Sequence, residues 1–143
     1  MHRDQRDELW QKLEHWIGDS EAANWTEYTT EMVAKCVLID FTATQWALLD
    51  QTLLRKPEYW QQRCTVSLGE DRSAPAIALL KRLLLESVYL DVRIQAIYEL
   101  DWCETPIEKK YAPCIRTVIQ GLPVEEIEPE LKSLLAKAET AAQ

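Results

Sequence analysis

Apolar residues recur along this chain at spacings of three and four, the period of a helix, and no stretch alternates convincingly at the spacing of two that marks a half-buried strand. Leu9, Trp10, Leu13, Trp16 and Ile17 form one such stripe and predict a helix over 4–17. Trp25, Tyr28, Met32, Cys36 and Ile39 carry the pattern over a second helix, 21–38, opened by Ser20 and Glu21. Thr42 or Thr44 caps a third, 44–55, with Trp46, Leu48, Leu49, Leu53 and Leu54. Pro57 begins a fourth, to Leu68. Ser73 caps a fifth, 74–86, rich in Leu, and a sixth runs from Asp91 to Trp102. A seventh starts near Thr105-Pro106, is open to a break at Pro113, and ends at Gln120; the last covers 129–141. The β-branched run Val37-Leu38-Ile39-Asp40-Phe41 is the one ambiguous stretch.

The breakers fall between these runs. Gly18, Gly69 and Gly121 each follow an apolar run, where a helix ends in a left-handed residue. The 6 Pro (Pro57, Pro75, Pro106, Pro113, Pro123 and Pro129) stand at or near a helix start, where a missing N–H costs nothing. The connections are short, so sequential helices should pack antiparallel. The expectation is a single all-α domain of seven or eight helices.

The chain also repeats itself. Trp60, Cys64 and Leu68 match Val92, Ala96 and Leu100 at an offset of 32 residues. The run beginning Ala74-Pro75 matches the run beginning Ala112-Pro113 at an offset of 38, which leaves an insertion around 101–110. A recurring helix pair is the mark of an α-solenoid. The run Trp60–Gly69, then Ala76–Leu84, then Asp91-Val92-Arg93 followed by Ala96 and Leu100, resembles the HEAT repeat, a family that often carries Asp-Val-Arg on the second helix of a pair. Trp60-Gln61 stands where that family has Val-Arg, and both repeats are short for it. The resemblance covers 44–120 and implies a short right-handed superhelix. Residues 1–40 and 122–143 would then be helical caps.

Charge narrows the function. Lys plus Arg number 16 against 24 Asp plus Glu, a net charge of −8. Neither nucleic acid nor an anionic membrane is an expected partner, because phosphate binding needs a basic footprint. The charged N-terminus lacks the apolar core of a signal peptide, and no apolar run has the length of a membrane span. The expected address is the cytoplasm. In length, acidity and its 6 Trp the chain is similar to the immunity proteins of contact-dependent growth inhibition and related systems, small acidic bacterial proteins with HEAT-like helices. That resemblance implies a protein that neutralises a cognate toxin, such as a basic nuclease. A scaffold or adaptor subunit is the alternative, and an enzyme with acids in a helical cleft is the second rival.

No constellation points to catalysis. Ser67, Ser73 and Ser87 lack a nucleophile-elbow setting, no Gly-rich phosphate loop is present, and Glu27/Glu31 has no Glu-x-x-His context for a di-iron site. His2 and His15 have no ligand spacing to Cys36, Cys64, Cys103 or Cys114, which read as free thiols used as small hydrophobes. No metal and no cofactor are expected. Trp10, Trp16 and Trp46 belong to apolar stripes and read as core. Trp102 differs, because acids flank it in Asp101-Trp102-Cys103-Glu104. From Glu99 to Glu130 there are 8 acids against 3 bases. Some of them, Glu125, Glu126 and Glu128 ahead of Pro129, suit a helix N-terminus. The candidate partner-binding residues are therefore Glu70, Asp71, Asp101, Trp102, Glu104 and Glu108, in the loops after the fourth and sixth helices, where acids would steer a cationic partner.

Overall fold

The computed structural model describes residues 5–20 and 25–142, which form eight α-helices joined by short connections and 3₁₀ turns, with no strand among them. The helices are α1 (Gln5–Ile17), α2 (Glu27–Cys36), α3 (Ala43–Thr52), α4 (Glu58–Asp71), α5 (Ala74–Glu86), α6 (Leu90–Cys103), α7 (Ala112–Gln120) and α8 (Pro129–Glu139). The expected helix positions 4 and 21–24 lie outside the described residues. The ambiguous stretch after α2 becomes a 3₁₀ turn over Leu38–Asp40 that buries Leu38 and Phe41.

Two layers follow from the packing. Helices α2, α4, α6 and α8 lie side by side in one layer. In the other, α1 packs on α3 and α5 on α7, while Arg82 on α5 donates to Asp50 on α3 at 2.6 Å. Lys137 near the end of α8 reaches Asp101 near the end of α6, and Cys103 near the end of α6 reaches the Gly69 carbonyl near the end of α4. Helices α4, α6 and α8 therefore run parallel and end along one edge of the molecule. The matched repeat positions occupy equivalent places: Trp60, Cys64 and Leu68 on α4, and Val92, Ala96 and Leu100 on α6, are all buried between the layers. Each fully buried Leu or Ile here contributes about 1.5–3 kcal/mol.

Helix α4 is the axle. It packs against α2, α5 and α6, so it has little polar face left, and Gln61, Arg63, Thr65 and Ser67 are buried with its apolar residues. Burying such groups is tolerable only when their hydrogen bonds are made. The Gln61 amide donates to the Lys56 carbonyl at 2.9 Å and accepts from the Ser87 hydroxyl at 2.7 Å. Thr65 and Ser67 donate back to the carbonyls of Gln61 and Arg63. Arg63 donates to the Ile17 carbonyl at 2.6 Å, placing a cation at the C-terminus of α1 where the helix dipole is negative.

Several boundaries depart from the sequence reading. Helix α2 begins at Glu27, after Trp25 and Thr26, with Thr26 capping it by accepting from the Thr29 N–H, and does not extend over 25–26 as the span 21–38 expected. Gly69 does not close α4. The helix continues to Asp71, and Arg72 takes the left-handed position with φ 61°. Gly69 is small because Glu99 crosses it: a Cβ there would lie 1.9 Å from Glu99 Oε1. Gly121 likewise ends α7 in a right-handed conformation, and only Gly18 is left-handed. The seventh helix does not begin at Thr105-Pro106. That segment is irregular, with Ile107 dropped into the core, and α7 starts at Ala112 with Pro113 in its first turn. Trp10, Trp16 and Trp46 lie half-buried against the core and not inside it. Of the thiols, Cys64 is buried and the other three are half-buried.

Candidate functional site

The parallel run of α4 and α6 brings their last turns together, and with them the acids of the two loops. Glu70 and Asp71 end α4; Asp101, Trp102 and Glu104 end α6; neither last turn holds a basic residue. Helix C-termini already carry partial negative charge, so an exposed acid there costs about 0.3–1 kcal/mol. Two of these acids are compensated. Asp71 accepts from the Ser73 N–H at 3.2 Å and from its hydroxyl. Asp101 accepts from the Ser133 hydroxyl at 2.8 Å and the Lys137 ammonium at 2.9 Å. Glu70 and Glu104 are exposed and have no ion-pair or hydrogen-bond partner among the described residues. Glu104 also holds a left-handed backbone, φ 56°, where a side chain is strained and glycine is preferred. Glu108 stands further along the loop and accepts from Lys81 at 2.9 Å, which holds its carboxyl below the usual range.

Trp102 faces solvent beside this edge and is 48% exposed. Its ring lies 5.5 Å from that of Tyr98, tilted by 31°. The Tyr98 hydroxyl donates to Glu128 at the start of α8. Burial, and then the carboxylates of Glu128 and Glu130, push that phenol up to about 12.

Two further features were not legible in the sequence. An open cleft of about 340 Å³ is lined by Trp25, Tyr59, Gln62, Arg63, Val66 and Gln95. The Arg63 guanidinium sits in it, 5.6 Å from the Trp25 ring centroid and 5.1 Å from that of Tyr59. Beneath the seam of α4 and α6 lies Glu99, 8% exposed, its carboxylate accepting from Gln95 at 2.7 Å. Burial raises this carboxyl to about 7; the Gln95 amide and Arg72 oppose the rise, and Glu70 adds to it. Gly69, two residues before the end of α4, was the only sequence signal of this close approach.

Among the described residues no three His, Cys, Asp or Glu side chains are grouped to hold a metal ion, and no helix is long and apolar enough to cross a membrane. Comparison with protein-family models, with curated proteins and with solved structures gives no match.

Proposed function

We propose that this chain is a non-catalytic, cytoplasmic binding protein of the immunity type, which neutralises a basic toxin, such as a nuclease, by covering it with the acidic edge formed by the ends of α4 and α6. The HEAT-like array, in this reading a right-handed superhelix, serves as the rigid support of that edge. One observation carries the reading: Glu70 and Glu104 are exposed acids without an ion pair at helix C-termini, Lys35 acts on Glu70 only at a distance, and Glu104 is strained as well. Folding gains nothing from the placement of Glu104 and little from that of Glu70, whereas a cationic partner would gain from both. Acids gathered at one edge steer such a partner and raise its association rate. A nuclease must be basic to hold its own substrate, so an acidic inhibitor competes for the same surface.

The test is retrieval of the tagged protein from its own strain, washed at low and then high salt, followed by kinetics on what is retained. The expected result is a basic protein whose toxicity is abolished by stoichiometric co-expression of this chain. Glu70→Lys with Glu104→Lys should slow its association about tenfold at low salt. This pair is preferable to changes at Asp101, which would also break the bonds to Ser133 and Lys137. Recovery of housekeeping proteins alone would favour a scaffold or adaptor.

A further inference from the structure

Among the described residues four cations and four rings make five cation–ring contacts. Lys56 covers Trp60, Arg63 covers Trp25 and Tyr59, and Lys81 and Lys110 flank Tyr111. Among the described residues the most exposed tryptophan, Trp102, has no such cation. Two bases of the helix ends around it are engaged elsewhere: Lys137 with Asp101, and Arg72 with the Gly69 carbonyl.

The ring is nonetheless set up to receive one. Tyr98 backs it and is itself anchored by its hydroxyl on Glu128. Glu104 lies two residues on, without a partner, and Glu130 stands close enough to act on Tyr98. An exposed indole stacked on a tyrosine that carboxylates hold attracts a cation twice, through the ring quadrupole and through charge. A planar guanidinium suits it better than an ammonium, because it can stack on the indole while forking toward a carboxylate.

We propose that Trp102, backed by Tyr98, with Glu128 and Glu130 acting at that tyrosine and Glu104 two residues on in the chain, is the receptor for an arginine side chain of a basic protein partner. The inference rests on the reading above and names the group that the acidic edge delivers. The cleft at Trp25 and Tyr59 is a poorer receptor, since the chain's own Arg63 already occupies it.

The experiment titrates the full, ¹⁵N-labelled chain with a tetra-arginine peptide, and with tetra-lysine and tetra-citrulline as controls. The indole N–H signals report, and that of Trp102 is assigned from Trp102→Phe. The expected result is that the largest indole shift falls on Trp102 with tetra-arginine, less with tetra-lysine, and none with the neutral citrulline peptide. Trp102→Leu should weaken tetra-arginine binding about fivefold, and Glu104→Gln should weaken it further. Far-UV circular dichroism checks that both variants fold, and Trp102→Phe stands in for the Leu variant if it does not. A titration in which Trp102 does not move, in which citrulline moves it equally, or in which the Trp25 indole responds instead overturns the proposal. The two readings fail separately. Tetra-arginine binding at Trp102 with no basic partner in the strain removes the immunity function alone. A basic partner whose affinity ignores Trp102→Leu removes the arginine receptor alone.

Discussion

Glu99→Gln isolates the one buried carboxyl in the α4–α6 seam. Glutamine keeps the length and planarity of the side chain and still accepts from Gln95, so only ionisation is lost. The magnitude comes from the displacement of the carboxyl from 4.5 to about 7, caused chiefly by burial. In the unfolded chain the group ionises near its ordinary value. Between the two pKa values the folded chain holds a proton that the unfolded chain has released, so stability falls as pH rises, by up to about 1.4 kcal/mol per pH unit. The contribution is complete below the unfolded pKa and is lost as pH passes the folded one. From about pH 5 to about pH 8 the loss is about 3 kcal/mol. Urea unfolding followed by circular dichroism, run on both proteins across that range, gives a difference curve in which the other carboxylates cancel. The variant should match the parent at the acid end and exceed it by about 2–3 kcal/mol at the alkaline end. A difference that stays constant with pH would show that Glu99 is not displaced. A difference that reverses, with the parent favoured at high pH, would mean that attraction to Arg72 outweighs burial.

Gly69→Ala should destabilise by about 1–3 kcal/mol, because its Cβ would overlap Glu99 and the clash exceeds the roughly 1 kcal/mol gained in helix propensity. Adding Glu99→Ala should return part of that loss, and thermal melts in which the double variant is no better than Gly69→Ala would contradict the contact. Glu104→Gly should raise stability by about 0.5–1 kcal/mol, since it relieves a left-handed side chain at a helix C-terminus. A denaturant midpoint that falls would refute this. Cys64 is fully buried and its thiol is pushed up to about 12, so it should resist a thiol reagent in the native protein and react only on unfolding. Labelling of Cys64 as fast as of half-buried Cys36 would place it nearer the surface.

Local signals found the helices whose stabilising contacts are local in the sequence. Helix α5 is the clearest case. Its Leu stripe predicts the buried face, and Ser73 caps it by accepting from the Ala76 N–H at 3.4 Å. The same logic failed where the cause lay elsewhere in the fold. Gly69 looks like a stop signal on its own, and only Glu99, thirty residues on, explains it as a packing residue. Pro106 looks like a helix start, but Ile107 beside it gains more by entering the core than a helix begun there would supply. The buried polar residues of α4 gave no periodic stripe because four helices, α1, α2, α5 and α6, pack around it. The acids of the candidate edge were visible as residues. Their meaning was not, because it depends on where α4 and α6 end, and those ends were set by Arg72 and Glu104 in left-handed conformations.

That dependence separates two classes of acid in one layer. Helices α2, α4, α6 and α8 each place an acid in the first turn, at Glu27, Glu58, Asp91 and Glu130, whereas α3, α5 and α7 place none. An acid in a first turn meets the positive end of the helix dipole and helps folding, so these four are explained by the fold itself. Glu70 and Glu104 sit at the opposite ends of two of the same helices, where the same dipole opposes them. Salt should therefore act differently on the two groups, weakening the help given by the first and relieving the strain imposed by the second. A sequence shaped for stability alone would have put Lys, Arg or Gly at those two positions. Carboxylates there work against the dipoles of α4 and α6, a cost that the proposed cationic partner would recover.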